Sequence, residues 1–296
     1  MNIKINGIIA GLLCFASVCC SKTETPPNRK DGTETETGVT YKVVAHRGGY
    51  LECGRPDCSL SSLKYAIQTG CYASECDILL TSDNEILVAH PVDGCYVNGL
   101  VPYESTLEEI RSAGTLANGE RMPSLEDFLE VLKDPEQNPR QMKLWLDVKR
   151  LTKDGKNLDF NISVRACLRA CEIIREAGAE ELCEFLIPTE ADIFNAVKDN
   201  VIDEYGINLA WMTCTDPARY GKAWAQLSYD KILGDSPASS YSPKDYIEAG
   251  VPLSIYNVDE DAEMDETIGY YPELKAIFTN YPRRLIEKLK ENGYVD

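Results

Sequence analysis

Short apolar segments alternate with helical patterns from residue 41 onward, and this alternation constrains the fold more than any other feature. The segments with the length of buried strands are 41–46, 73–80, 85–90, 143–148, 183–188, 206–213, 252–257 and 275–279, and a further short segment at 231–235 is either an extra strand or a loop. Helical periodicity occupies 59–69, 105–113, 124–133, 161–177, 190–199, 243–249 and 282–292. Eight strands alternating with helices predict a parallel α/β fold, and their number favours a (β/α)8 barrel, the TIM-barrel architecture.

One connection departs from this pattern. Only four residues, Thr81 to Asn84, separate the second and third predicted strands, whereas a parallel crossover needs about a dozen or more. Asp83 and Asn84 are typical turn residues. The sequence therefore predicts either a barrel that is irregular between these strands or a hairpin at this point.

The first twenty residues have the pattern of an export signal. A weakly positive start leads into an apolar stretch at 8–18 and then into two cysteines, which is typical of a secretory signal peptide at 1–20. The cysteines indicate a lipoprotein in which Cys19 or Cys20 becomes the lipidated N-terminus. Cys20 is the better candidate, because Val18 stands where a small residue is preferred before Cys19. The alternative is a plain secretory signal with incidental cysteines.

Residues 21–40 contain almost no apolar side chains. Such a segment cannot offset its ordering entropy by burial, and it predicts a flexible linker. The folded domain is then 41–296. We expect it to be exported and to be held at a membrane, on the periplasmic or cell-surface side, through the lipid anchor only.

The net charge restricts the possible partners. The chain carries 48 acidic and 30 basic residues, a formal net charge of -18. This charge disfavours nucleic acid, which needs a basic surface, and it disfavours adhesion to anionic lipid. An acidic enzyme that acts on an anionic substrate needs a metal ion or a few placed cations at its site.

The chain has two histidines, and each ends an apolar segment. His46 ends the first predicted strand and His90 the third, while Glu75 and Asp77 lie on the second. Imidazole suits proton transfer near neutral pH, and alternating carboxylates on one strand face suit a hard metal ion. The alternative is two ordinary histidines in strands, but their equivalent positions favour a catalytic pair.

The first and fourth strands add three charged residues to this group. Arg47 follows the first histidine, and the fourth strand ends in Asp147 and Lys149, which alternation places on one face. At the carboxyl ends of barrel strands these side chains would meet at one mouth. Cations that neutralise phosphoryl oxygens, with two imidazoles that move protons, suit a phosphodiester substrate. The alternative is a structural ion pair between Asp147 and Lys149, with Arg47 structural as well.

The chain also resembles the glycerophosphodiester phosphodiesterase family over nearly all of 41–290. The stretches that carry the resemblance are Ala45-His-Arg-Gly48, Glu75-Cys-Asp77, Thr81-Ser-Asp83, Ile86-Leu-Val-Ala-His90, Asn98-Gly99, Ser105-Thr-Leu-Glu-Glu-Ile110, Arg121-Met-Pro-Ser-Leu-Glu126, Leu146-Asp-Val-Lys149, Val251-Pro-Leu-Ser-Ile-Tyr-Asn-Val258 and Ile277-Phe-Thr-Asn-Tyr-Pro282. Their order and spacing together are more specific than any one motif.

The resemblance implies a TIM barrel that hydrolyses glycerophosphodiesters to glycerol phosphate and an alcohol. It implies that the general acid and base are His46 and His90. It implies that one divalent cation, Ca²⁺ or Mg²⁺, is held by Glu75, Asp77 and Asp147, and that phosphate is contacted by Arg47 and Lys149. In the implied route, the glycerol hydroxyl next to the ester attacks phosphorus, and water then opens the cyclic intermediate.

Several positions depart from the family pattern. The departures are Asp57-Cys58 after Pro56 in place of Glu-Asn, Pro91 in place of Asp, Asp147 in place of Glu, Tyr256-Asn257 in place of Trp-Thr, and Asn280 in place of the Asp of a closing Thr-Asp pair. The shorter Asp147 could shift the metal or recruit a water ligand.

These departures leave two other functions open. One is a phosphoinositide-type phospholipase C, which would use a similar barrel with two histidines and acidic metal ligands. The other is a catalytically weak binding lipoprotein that kept the barrel and lost turnover. The His46-Arg-Gly-Gly49 and Pro-Ser-Leu-Glu segments favour the glycerophosphodiester phosphodiesterase over the phospholipase.

The remaining expectations concern cysteines and tryptophans. The chain contains no Cys-x-x-Cys pair, so no zinc site of that kind is predicted. An exported protein can form disulfides, and the candidates for a bridge in loops near the site are Cys53, Cys58 and Cys95. The cysteines predicted to be buried are Cys183 and Cys214. The tryptophans assigned to the core are Trp145, Trp211 and Trp224.

Overall fold

The structure is a computed structural model that describes residues 41–188, 191–212, 214–234 and 236–294. The predicted signal peptide and linker lie outside these residues. The strands are β1 Tyr41–Ala45, β2 Cys71–Leu80, β3 Ile86–Val88, β4 Lys143–Val148, β5 Thr152–Lys153, β6 Lys156–Asn157, β7 Cys183–Ile187, β8 Asn208–Met212, β9 Trp224–Ser228, β10 Leu253–Tyr256 and β11 Ala276–Thr279. The α-helices are α1 Tyr50–Cys53, α2 Leu60–Thr69, α3 Leu107–Ala113, α4 Leu125–Lys133, α5 Phe160–Ala177, α6 Ala191–Asp199, α7 Tyr229–Ile232, α8 Pro243–Glu248, α9 Asp261–Ile268 and α10 Pro282–Glu291.

The main sheet closes on itself. Its barrel strands are hydrogen-bonded in the order β1-β11-β10-β9-β8-β7-β4-β2, and β1 also pairs with β2. These eight strands are parallel, and most of their connections contain a helix. The predicted (β/α)8 TIM barrel is therefore confirmed. All the carboxyl ends of its strands meet at one mouth.

The barrel strands differ from the predicted set at two places. β3, predicted as the third barrel strand, pairs antiparallel with β2 and lies outside the barrel. The eighth barrel strand is instead β9, which was not predicted from the sequence. Its five residues include the buried amide of Gln226, which interrupts the apolar pattern. The segment at 231–235, predicted as an extra strand or a loop, forms no strand among its described residues, because it begins within α7, Tyr229–Ile232. Helix α9 was also missed, since acidic residues dominate it and its buried apolar side chains are few.

The hairpin between β2 and β3 explains the short connection. The Thr81 hydroxyl accepts a hydrogen bond from the Glu85 backbone at 2.9 Å and donates one to Asp83 Oδ1 at 2.6 Å, which closes a tight turn. β2 pairs with β4 only as far as Ile78, so its last two residues project beyond the end of β4. The returning chain reaches Asp77, whose carbonyl accepts a 3.1 Å hydrogen bond from the residue before His90. His90 therefore lies at the mouth although its strand is not part of the barrel.

Side chains fill the barrel interior. The residues of this inner core are Val44, Ala73, Trp145, Leu186, Ala210, Trp224, Ala276 and Phe278. Trp145 packs on Trp224 with ring centroids 4.6 Å apart, and alanines on neighbouring strands leave room for both indoles. Trp211 lies in the apolar layer between strands and helices, so all three tryptophans are buried as predicted. Because the interior is filled, the mouth is the place where this barrel can bind a ligand among its strand ends.

The helices cover the barrel with apolar faces. The buried side chains of α4 are Leu125, Phe128, Leu129, Val131 and Leu132. Ser124 and Asp127 form the capping box at its start. Across the described residues, no helix combines the length and the apolar character that a membrane crossing requires.

The nine cysteines of the described chain are free thiols. The bridge expected among Cys53, Cys58 and Cys95 is therefore wrong. Cys58 is turned towards a buried carboxylate, and Cys95 is fully buried beneath a separate loop. Cys183 and Cys214 are buried, as predicted.

Candidate active site

The barrel mouth collects the side chains that the sequence singled out. His46 and Arg47 directly follow β1, and Glu75 and Asp77 lie within β2. The other members are Asp147 in β4, Lys149 just after it, and His90 after the hairpin. β2 and β4 pair with Asp77 beside Asp147. Strand register therefore sets the carboxylates next to one another.

A tight turn after β1 aims Arg47 at these carboxylates. Arg47 has a φ of 46° and Gly48 a φ of 81°. A Cβ at Gly48 would overlap the Ser62 side chain and lie 2.6 Å from its carbonyl carbon, so this position requires glycine. The turn directs the Arg47 backbone N–H to Glu75 Oε2 at 2.9 Å and brings its Nε within 3.3 Å of Asp77 Oδ2.

Glu75, Asp77 and Asp147 form a buried acidic cluster. Each offers a carboxylate oxygen within 4.8 Å of the others, and their exposed fractions are 2%, 0% and 8%. Burial raises the pKa of Glu75 well above its ordinary value, and the charges of Asp77 and Asp147 raise it further. Burial also raises the pKa of Asp147, against the attraction of Lys149. Full ionisation of the cluster would therefore give more negative charge than its surroundings neutralise, and Glu75 retains its proton where an ordinary glutamate is ionised.

Two cations are shared among the three carboxylates. Lys149 Nζ lies 2.6 Å from Asp77 Oδ1 and 2.6 Å from Asp147 Oδ2, and Arg47 Nε approaches Asp77 from the other side. Burial would raise the pKa of Asp77, but the attraction of Lys149 and Arg47 outweighs it, and the pKa is lowered. The ion pair of Asp147 with Lys149 is thus formed, but Asp77 shares it. If all three carboxylates were ionised, two positive charges would face three negative ones, and the raised pKa of Glu75 reflects this surplus negative charge.

The donor set of the acidic cluster fits a hard divalent cation. Ca²⁺ and Mg²⁺ take carboxylate oxygens as ligands, and this cluster supplies three that converge. Glu75 receives its hydrogen bond from a backbone N–H of Arg47. Lys149 instead contacts the two other carboxylates. A divalent cation beside Glu75 would meet the surplus negative charge.

The two ring nitrogens of His46 face different neighbours. Nε2 faces the acidic cluster, and Nδ1 faces two side-chain amides. Its Nε2 lies 4.0 Å from Glu75 Oε2, while Nδ1 lies 2.8 Å from Asn280 Oδ1 and 3.1 Å from Asn257 Nδ2. Burial, and then the charge of Arg47, lower the pKa of this imidazole to about 4. His46 is therefore neutral near neutral pH and can accept a proton.

Asp259 determines which nitrogen of His46 carries the proton. Its carboxylate only accepts, and it accepts from Asn280 Nδ2 at 2.6 Å and from the Asn280 backbone N–H at 2.8 Å. The amide oxygen of Asn280 must then face His46, and it accepts from Nδ1–H. Asn257 Nδ2, 3.1 Å from the same nitrogen, can only donate, so it makes no hydrogen bond to Nδ1–H and opposes this tautomer. The lone pair of Nε2 is left facing Glu75 and the mouth.

His90 flanks the cluster beside Asp77, whereas His46 flanks it beside Glu75. Burial lowers the pKa of His90, and the Asp77 charge partly opposes this shift. The His90 ring is less buried than that of His46 and lines an open cavity. The two imidazoles therefore lie near different carboxylates of the cluster, His46 near Glu75 and His90 near Asp77.

Residues that differ from the family pattern also contact the site. Asp57 Oδ2 lies 3.2 Å from Arg47 Nη1, and Cys58 Sγ lies 3.5 Å from Asp77 Oδ2. The thiol of Cys58 can donate a weak hydrogen bond to this carboxylate. Burial raises the pKa of Cys58 well above its ordinary value, so it remains a thiol.

The residues that support His46 were not predicted from the sequence. Asn257 and Asn280 were noted only as departures from a family pattern, and Asp259 was not singled out. The available signal was position, because Asn257 and Asn280 directly follow β10 and β11, whose ends meet at the mouth. Asp259 lies in the loop after β10 and could be found only from its contacts with Asn280.

The chain is similar in structure to solved phosphodiesterases. No protein-family model matches it, and no curated protein matches its sequence. A glycerophosphodiester phosphodiesterase from Parabacteroides distasonis is 21% identical, with a TM-score of 0.68 over 86% of this chain and 98% of that chain. One from Agrobacterium tumefaciens is 15% identical, with a TM-score of 0.61 over 84% of this chain and 100% of that chain. An Oleispira antarctica phosphodiesterase, solved with its product sn-glycerol-3-phosphate, is 17% identical, with a TM-score of 0.61 over 84% of this chain and 96% of that chain. At these identities, the likeness shows a shared fold.

Cation binding is expected to weaken as the pH falls. Because the pKa of Glu75 is raised, its carboxyl group retains a proton where an ordinary glutamate is ionised, and a cation must displace that proton. We expect Ca²⁺ or Mg²⁺ to bind roughly tenfold more weakly at about pH 5 than at about pH 8. Calorimetry in two buffers of different ionisation enthalpy measures affinity and proton release together. Glu75→Gln should bind more weakly and with less pH dependence; a wild-type affinity that is the same at both pH values would contradict the assignment.

The substitution Asp259→Asn is expected to remove the preference of His46 for one neutral tautomer. An asparagine can donate as well as accept, so it no longer forces the Asn280 oxygen towards the imidazole. Nitrogen-15 correlation spectra distinguish the two neutral tautomers, and a chain with two histidines makes the assignment simple. We expect Nδ1–H in the wild type and a mixture in Asp259→Asn. The control is Asp261→Asn, whose exposed carboxylate pairs with Arg284; a wild-type Nε2–H tautomer would refute the arrangement.

Proposed function

We propose that the chain is a metal-dependent phosphodiesterase that hydrolyses glycerophosphodiesters to glycerol phosphate and an alcohol. The observation that carries the proposal is the buried cluster of Glu75, Asp77 and Asp147 at the barrel mouth, flanked by His46 and His90. The solved phosphodiesterases that share the fold support the substrate class, since one of them holds sn-glycerol-3-phosphate.

The acidic cluster is the cation site in this proposal, and Ca²⁺ or Mg²⁺ is the cation. When bound, a divalent cation supplies Lewis-acid stabilisation of the charge on the phosphoryl oxygens. Arg47 and Lys149 lie against the same carboxylates and carry fixed positive charge at the mouth. They bind and orient the phosphodiester through its remaining anionic oxygen.

His46 is the general base of the first step. Its Nε2 removes the proton from the glycerol hydroxyl next to the ester, and that oxygen attacks phosphorus. The low pKa of His46 keeps Nε2 unprotonated before the step. Asn280 and Asp259 hold the ring in the same orientation while the proton moves.

His90 is the general acid of the first step. As the bond from phosphorus to the leaving alcohol breaks, His90 donates a proton to the departing oxygen, and a cyclic glycerol phosphate forms. The roles then reverse: His90 takes a proton from water, which attacks phosphorus, and His46 returns its proton to the glycerol oxygen as the ring opens. The anionic diester beside His90 favours the charged imidazolium that the first step requires.

The purified protein is expected to release glycerol phosphate from glycerophosphodiesters only when a divalent cation is present. Chelation with EDTA should abolish the reaction, and Ca²⁺ or Mg²⁺ should restore it. Asp77→Asn should lower kcat/KM by about a hundredfold or more, because it removes a ligand and the partner of both cations. Coupled enzymatic detection of glycerol phosphate measures the rate. Failure on every glycerophosphodiester with either cation would indicate a binding protein, and release of inositol phosphate from a phosphoinositide would indicate a phospholipase.

A good leaving group is expected to rescue His90→Ala. An alkyl alcohol needs a proton as it departs, whereas p-nitrophenolate does not, so loss of the acid should matter only for the former. We expect His90→Ala to slow an alkyl diester about 10²–10⁴-fold and a glycerophospho-p-nitrophenyl ester far less, in the first turnover. His46→Ala should slow both esters alike. If the two variants respond in the same way to the change of leaving group, the assignment of acid and base is wrong.

A further inference from the structure

A small open cavity lies beside His90, and we call it the His90 pocket. Its volume is about 130 Å³. Its walls include Asp57, Val88, Val92, Tyr96, Leu116 and Met122. The imidazole of His90 forms part of the wall, so a group held in the pocket lies next to that ring.

Two tight turns build the outer wall of the pocket. Asp93 and Gly94 have φ values of 47° and 82°, and Asn98 and Gly99 have φ values of 51° and 76°, the pairs of positive values that type I′ turns require. Asn98 Nδ2 donates to the carbonyl oxygens of Ile110 at 3.1 Å and Gly114 at 3.0 Å. These bonds hold the wall in place without a ligand.

The charges of the mouth are divided between two sides. None of the described residues that line the His90 pocket is a lysine or arginine; its one carboxylate is that of Asp57. The cations Arg47 and Lys149 instead lie against Asp77. Arg47 pairs with Asp57 at the boundary, at 3.2 Å. The phosphoryl side is therefore cationic, and the pocket side is aliphatic and weakly acidic.

The volume limits what the pocket can enclose. A cavity of about 150 Å³ accommodates one benzene ring, so the pocket of about 130 Å³ has room for slightly less than that. A two- or three-carbon alcohol fits this space, whereas a cyclitol ring or an acyl chain exceeds it. The Asp57 carboxylate is paired with Arg47, and an additional negative charge in the pocket would find no lysine or arginine in the pocket wall to neutralise it.

We propose that the His90 pocket binds the leaving alcohol and selects short alcohols that carry no negative charge. This inference rests on the proposed function, because it makes His90 the group that protonates the alcohol held beside it. Val92 is the specificity-determining residue at the rim, with 64% of its surface exposed. The aliphatic lining and Asp57 favour an aliphatic or amine-bearing alcohol over an acidic one.

The test compares glycerophosphodiesters of ethanolamine, serine and inositol. We expect kcat/KM for the ethanolamine ester to exceed that for the serine ester, which adds a carboxylate, and that for the larger inositol ester, each by about tenfold. Val92→Lys places a cation at the rim and should reduce the ethanolamine-to-serine ratio about fivefold. The control is Leu51→Lys, which charges an aliphatic residue of α1 with 49% exposure that does not line the pocket. Equal rates on the three esters, or equal effects of the two lysine variants, would overturn the proposal.

A binding measurement separates this proposal from the proposed function. Proton signals of the two imidazoles are resolved while ethanolamine or glycolate, alcohols of similar size and opposite charge, is titrated into the full protein. Ethanolamine should shift the His90 signals and leave those of His46 unchanged, glycolate should shift neither, and Val92→Lys should reverse the preference. If no diester is hydrolysed but this pattern holds, the pocket stands and the proposed reaction fails. If diesters are hydrolysed and neither alcohol shifts His90, the pocket assignment fails alone.

Discussion

The neutralisation of Asp77 is the interaction on which the rest of the mouth depends. This carboxylate is fully buried, and a buried charge is tolerated only when cations or hydrogen bonds replace its lost hydration. Lys149 and Arg47 provide that replacement from the ends of two other strands, at 2.6 and 3.3 Å. Because the close partners of these two cations are Asp77 and Asp147, Glu75 has no cation paired with it, and its pKa is raised. A divalent cation would be held most strongly there, which gives the acidic cluster a use besides structure.

The imidazole of His90 is brought to this cluster by the hairpin of β2 and β3, which is an irregular element of the barrel. A regular crossover after β2 would carry the chain away to a helix on the outside of the barrel. The four-residue turn instead folds β3 back along β2, and the chain returns to the level of Asp77 before it leaves the strand. The same detour places residues of the turns at 92–100 beside His90, where they line a cavity with it. One departure from barrel regularity therefore supplies both His90 and the wall of its pocket.

Different features of the His46 surroundings set the orientation of its ring and its pKa. Hydrogen bonds set the orientation, and burial lowers the pKa. Two neutral amides, Asn280 and Asn257, contact Nδ1, and the carboxylate of Asp259 stands one residue further away. The carboxylate still orients the ring, because it fixes the amide that contacts the imidazole. It does not contact the ring itself, and the burial that lowers the pKa of His46 to about 4 prevails. Asn280 thus orients the ring without placing a negative charge against it.

The alternation of apolar segments was sufficient to predict a (β/α)8 barrel, because strand and helix periodicities are local properties of the chain. The site residues His46, Arg47, Glu75, Asp77, His90, Asp147 and Lys149 could be named for the same reason, since each stands in or beside a recognisable segment. Their catalytic and ligand roles, like the export signal and linker at 1–40, remain predictions. Tertiary structure alone decided that β9 replaces β3 in the barrel, that Asp259 acts on His46 through Asn280, and that a pocket adjoins His90. These features join residues that are distant in sequence through hydrogen bonds and side-chain packing, and no local pattern records which partners will meet.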